Sequence, residues 1–501
     1  YLWSESLINA GVIAGQDDFV IAGHVLDNEQ GQVVSNGSLV LAIYEQLNNS
    51  GGLIASAGPL SVSTETLGNE GGQILSLADA FMAAGTVDNS ADGLIAVGGN
   101  MEFQLQGGAP HLNNQTGSVE VGGDFLLVAD GMVDSTAGSI LVGGDADMRF
   151  LPGANLVTSN GLLSVGGDAY LTFADYFITG NASEYDFQGS LSIDAKRYYQ
   201  LASSIINVGG DFTLIGRELV SAPKVDAGGN IQVTTPRMRA DYGFDVSFDK
   251  RTALRAGGDI TLIVSDYLHG ESSDREQHMP EGEAAYWNTQ WRQAYNAEAS
   301  DRDAPLSSYL LAGGDILIDG SSISWTDSAM VANGDVAINS RWGLYMGSAD
   351  GGCAQNCLIL AGNDIRLNAP LNLNGASIEA GNDLFVTGDV GSYGSFIGAW
   401  RDISISGGYI FEHDRTLTAG RNLTLQTDVV YNLGALSLIS AQGALTITAD
   451  DIFNQGTISG GRTFVSANNV TNGMVAPPLS MPGSSVGPVA VPPFLNDINL
   501  I

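Results

Sequence analysis

Asp315, Asp335, Asp364, Asp383 and Asp402 recur at steps of 20, 29, 19 and 19 residues. A column of carboxylates is the first place in this chain to look for chemistry. Stacked in register at the ~4.8 Å spacing of neighbouring strands, such groups repel by roughly 0.9 kcal/mol per pair at bulk dielectric, and several-fold more near protein. Each Asp can offset this by capping its own turn through backbone N–H groups, which is the favoured reading. Calcium held between adjacent coils is the alternative, and the one cofactor these residues suggest. The calcium-binding nonapeptide Gly-Gly-x-Gly-x-Asp is absent.

Other reactive residues are sparse. Cys353 and Cys357 lie four apart in Gly-Gly-Cys-Ala-Gln-Asn-Cys, a spacing that suits a local disulfide in an exported chain. A metal site would need further ligands, and none is near. His24, His111, His269, His278 and His413 share no ligand spacing. No nucleophile elbow, phosphate loop or dinucleotide fingerprint occurs. Polysaccharide-cleaving enzymes use carboxylates on a flat β-face, and Asp266, Glu271, Asp274 and Arg275 are the residues that could serve so here. Nothing singles them out, and the chain reads as non-catalytic.

Composition sets what must position these residues. The 501-residue chain holds 66 glycines, is 44% hydrophobic and only 15% charged. That combination fits many short strands joined by tight turns, with a core large enough to exclude disorder. The net charge is −36, with Lys196, Lys224 and Lys250 the only lysines. Such a surface excludes nucleic-acid partners and disfavours anionic membranes. It suits an extracellular setting. No 18-residue apolar run appears, and the start at Tyr1 shows no signal-peptide pattern. A start without Met reads as a processed product or an excised piece, and leaves secretion open.

The repeat supplies the architecture. Gly122-Gly123-Asp124-Phe125, Gly143-Gly144-Asp145 and Gly166-Gly167-Asp168 recur, each followed by residues alternating apolar and polar. Anchored on the residue before the first apolar one, copies run through Asp18, Ser38, Pro59, Gln73, Asn100 and Asp124, and on to Asp402, Asn422, Ala444 and Thr463. The period of two within each copy is that of a strand, and glycine and asparagine at the ends read as turns at positive φ. A coil of about twenty residues cannot bury its own apolar face, so coils must stack. The expected fold is all-β, a parallel β-helix (β-solenoid) of about twenty coils over residues 1–473, carrying one short helical insertion.

Three stretches break the period: residues 231–258, 269–309 and 340–358. In the second, Trp287, Trp291 and Tyr295 fall on one face of an expected helix after Pro280. They either pack that helix onto the solenoid or form a partner contact. Residues 474–501 are Pro-rich, a tail or a strand-exchange segment that could cap this stack or pair with another.

Ala361-Gly-Asn-Asp-Ile-Arg-Leu367, Ala419-Gly-Arg-Asn-Leu-Thr-Leu425 and Ile452-Phe-Asn-Gln-Gly-Thr-Ile458 carry a resemblance, with Asn432, Asn454 and Asn472 beside them. Residues 360–473 resemble the repeat region of filamentous haemagglutinins and related two-partner-secretion exoproteins, contact-dependent inhibition proteins included. The resemblance implies a right-handed β-helix, an outer-membrane secretion partner, and display on a bacterial cell surface. The expected function is a secreted, rod-like structural or adhesive protein whose partners are cell-surface or matrix glycans or proteins. A self-assembling filament or sheath subunit, and a carbohydrate-binding or carbohydrate-cleaving β-helix, are the alternatives.

Overall fold

The computed structural model describes residues 1–107, 111–180, 182–200, 204–219, 224–235, 246–248, 253–264, 308–325, 328–347 and 357–473. They fall into two compact units, the first within Tyr1–Pro236 and the second within Arg237–His269 and Pro305–Ile501. Both are all-β and parallel, with about 18 turns of about 21 residues between them and no helix among the described residues. The expected helix with Trp287, Trp291 and Tyr295, and the tail 474–501, lie outside those residues.

One coil of the first unit shows the design. Strand Leu39–Asn48 alternates buried and exposed side chains, turns at Asn49–Gly52, and continues as the short strand Leu53–Ser56. The next coil repeats this one step along, pairing Leu39 with Leu60 and Leu53 with Gln73 in parallel register. Inward positions therefore stack into columns. Leu39, Leu60, Ala80, Met101, Phe125 and Ala146 form one, and every member is buried. Alanine interrupts the larger side chains twice along it, at Ala80 and at Ala146, the neighbour of Phe125. Each buried Leu, Ile or Phe contributes roughly 1.5–3 kcal/mol, and only once a neighbouring coil covers it. In the second unit Val336, Ile365, Leu384, Ile403, Leu423 and Leu445 make the equivalent column.

The register corrects two anchors. Leu60 N–H donates to Asp79 O, so Asp79 and not Gln73 follows Pro59, and Gln73 begins the other strand of that coil. Ala444 aligns with Arg462, one residue before Thr463.

The Gly-Gly-Asp turn has a different cause from the one expected. Its glycines do not adopt positive φ. They are required by close approach between coils. A Cβ on Gly143 would stand 2.5 Å from the Gly122 carbonyl oxygen of the coil before, and one on Gly144 would collide with Asp124 Oδ1. Positive φ belongs to the opposite corner, at Gln30 (φ 56), Gly51 (φ 59), Gly71 (φ 58) and Asn160 (φ 53). Ala91 (φ 54), Thr116 (φ 58) and Ala137 (φ 51) adopt it as well, so this corner does not depend on glycine or asparagine.

Candidate functional site

The five aspartates do come into one column, but they do not cap their own turns. Each Oδ1 accepts the backbone N–H of the equivalent residue one coil later. Asp335 N–H donates to Asp315 at 2.7 Å, Asp364 N–H to Asp335 at 3.1 Å, Asp383 N–H to Asp364 at 3.2 Å and Asp402 N–H to Asp383 at 3.0 Å. The first unit does the same at Asp124, Asp145 and Asp168. Charge along the column is relieved by arginine as well. Arg366 bridges Asp335 and Asp364, and Arg421 pairs with Asp402. The Arg421 hydrogen bond is the main reason that the Asp402 carboxyl sits below its usual range. These contacts give the aspartates a structural task. Among the described residues no group of three or more His, Cys, Asp or Glu side chains is placed to hold a metal ion.

Since Asn100 and Asn422 occupy the same turn position and accept the same bond, the acceptor oxygen matters more than the charge. Asp315→Asn is expected to melt within about a degree of the parent. Asp315→Ala leaves the Asp335 N–H without its acceptor and costs about 1 kcal/mol. Thermal denaturation of both variants, with and without calcium, checks this. Equal losses for Asn and Ala would show that the charge, and not the acceptor oxygen, is what counts.

A second column is interior. Asn28, Asn49, Asn69, Asn89 and Asn114 are fully buried; each of the first four donates from Nδ2 to Oδ1 of the next at 2.7 Å, and Asn114 donates to Ser135 Oγ at 3.0 Å. The same amides bond backbone carbonyls of their own corner and of the following coil, as Asn49 does to Gly52 and Gln73. Asn432, Asn454 and Asn472 form the corresponding ladder in the second unit.

At the head of that second ladder stands Glu412. Register places Ser392 before it and Asn432 after it. Glu412 is 1% exposed, and neither carboxyl oxygen has a hydrogen-bond partner. Ser392 Oγ and Asn432 Oδ1 are equally without partners. Burial pushes the Glu412 pKa up to about 8, against the lowering effects of Ser392 and Arg415. Arg415 is itself buried, lies over the Tyr393 ring at 5.4 Å, and has no partner for Nε. A neutral Glu412 resolves the conflict: its O–H can donate to Asn432 Oδ1, taking the place of the missing amide. Outside this core, Tyr393 stacks on His413 at 5.0 Å and Tyr431 on Phe453 at 5.1 Å, an aromatic stripe on the same wall.

Both units carry a lateral groove. In the first, a groove of about 720 Å3 runs over Val40, Phe81, Leu126 and Tyr170, with Asp79, Glu102, Asp124 and Asp147 along it. In the second, a groove of about 810 Å3 is lined by Asp319, Asn339, Asn368 and Thr387 from successive coils, with Arg341 and Trp342 at its edge. A β-bulge builds that edge. Gly320 pairs with Ser340 and Ser322 with Gly343, so Arg341 and Trp342 together face the single residue Ser321. Ser340 Oγ fixes the bulge by donating to Ser321 O and Gly343 O. Bulges re-aim side chains in this way, and Trp342 is left 62% exposed.

The sequence pointed to the interval containing Trp342 but not to the residue. Cys357, in the same interval, is buried and disulfide-bonded, and Cys353 lies outside the described residues. Asp266, Glu271, Asp274 and Arg275 also lie outside them. Glu412 carried a legible signal, since the period of two puts it on the inward face with Ile410. No family model, no curated protein and no solved structure matches this chain.

Proposed function

We propose that the protein is a non-catalytic structural or adhesive protein of the bacterial cell surface, in which stacked coils are scaffold and lateral grooves make contacts. The observation that supports this reading most is the uniform joint between coils. The same carboxylate-to-amide bond and the same buried asparagine bond recur from coil to coil, so sequence is committed to regular stacking. The resemblance of residues 360–473 to two-partner-secretion exoproteins and the net charge of −36 fit an external location. Antibody labelling of intact source cells tests it, together with adhesion of protein-coated beads to glycan-bearing surfaces. Labelling without permeabilisation, and bead adhesion, are the expected results. Labelling that needs permeabilisation would overturn the reading.

A further inference from the structure

We propose that the groove beside Trp342 is a binding site for a neutral, extended oligosaccharide. The inference rests on the adhesive reading and names the contact that reading requires.

Three observations converge. Asp319, Asn339 and Asn368 are in register on one outer face, about 4.8 Å apart by strand spacing. Among the described residues, their side chains make no hydrogen bond to one another or to a neighbour. In-register asparagines in the interior do bond directly, at 2.7 Å from Asn49 to Asn69. The outer column thus presents free amide and carboxylate groups, able to donate and accept, at a regular interval. Hydroxyls on successive rings of an extended glycan offer matching groups in both senses.

The second observation is the bulge. Two residues are extruded opposite Ser321, and Ser340 holds them in place. Arg341 lies over the Trp342 ring at 5.1 Å and braces it. The indole is exposed, and an aromatic face at the lip of a polar groove suits the apolar face of a pyranose ring.

The third is charge. Asp319 and Arg341 are the charged residues lining the groove, one of each sign. The chain around them carries −36, which repels polyanions. A neutral chain avoids that repulsion. An extended peptide fits less well, because the backbone of this face is already paired coil to coil and offers no open edge.

The test is isothermal titration of the full chain with cellohexaose, β-1,4-mannohexaose and laminarihexaose, with hexagalacturonate as the charged comparison. At least one neutral hexasaccharide should bind with Kd between about 10 µM and 1 mM. Trp342→Ala should weaken it at least about tenfold, Trp342→Phe less, and the Asn339→Ala/Asn368→Ala double variant about fivefold or more, each with an unchanged melting temperature. Three results would overturn the site: no neutral hexasaccharide binds, the variants bind like the parent, or hexagalacturonate or an extended peptide binds best. The bead assay separates the two levels. Adhesion that persists in Trp342→Ala removes this site and leaves the adhesive reading standing, whereas parent beads that adhere nowhere remove both.

Discussion

Glu412→Gln raises the melting temperature at pH 9 and leaves it nearly unchanged at pH 4.5. The reasoning is linkage. The folded-state pKa is about 8, raised from 4.5 by burial. Between those values the folded chain holds a proton that the unfolded chain has released. Stability from this group is therefore fully present below about pH 4.5 and is lost as pH rises through about 8. The span of pKa corresponds to on the order of 5 kcal/mol at full ionisation. Arg415 is the charged group whose attraction favours ionisation, but it makes no ion pair with Glu412, and burial outweighs it. Asp414, His413 and Tyr393 are the remaining titratable groups nearby, and Ser392 and Asn432 the neutral ones. Glutamine keeps the shape, cannot ionise, and its amide can donate to Asn432 Oδ1 at every pH. Paired melting curves from pH 4.5 to 9, with amide exchange of the strands around Ile403–His413, check this. A difference that does not grow with pH would mean that Glu412 is solvated or paired in solution.

The second large effect is expected at Asn49. Asn49→Asp keeps the acceptor for the Asn28 amide but removes the donor to Asn69 Oδ1, Gly52 O and Gln73 O. Two oxygens then face each other in a fully buried site. Leaving buried polar groups without partners costs about 1–3 kcal/mol each, so the variant should lose several kcal/mol at neutral pH. Acid should restore part of the loss, since a protonated carboxyl can donate again. Asn49→Ala should lose a comparable amount with no recovery in acid. Denaturant melts of both at pH 4 and pH 7 separate them, and equal losses at both pH values for Asp would exclude the donor explanation.

How much of this was legible before the structure depends on what each residue answers to. The period came through because it is carried by pairs of residues facing each other across coils, such as Leu384 with Ile403. A sequence records such pairs as a repeat. Gln73 was misplaced because its strand, Gln73–Ser76, alternates like the other strands, and alternation alone does not tell one wall from another. The glycines were recognised but assigned the wrong cause. What excludes a Cβ at Gly144 is an oxygen of Asp124, twenty residues away, and no local turn rule refers to that distance. The N-terminal asparagine ladder was readable in principle, since Asn28, Asn49, Asn69 and Asn89 recur with the coil. It was passed over because asparagine near glycine is already explained as a turn. Trp342 was illegible for a stronger reason: its exposure comes from a bulge, and a bulge is defined only against the partner strand.

The carboxylate-to-amide joint also has a direction. The side chain always comes from the earlier coil and the N–H from the later one, at Asp124 and Asp145 as at Asp315 and Asp335. A finished coil presents acceptors already in place, and the next coil supplies the donors. Every junction within such a run poses the same docking problem with the same answer. Coils can then be removed or duplicated in whole numbers without changing what any junction must recognise, while a shift of one residue breaks all of them. Coil number is a variable that this architecture leaves open to evolution; phase is the quantity it conserves.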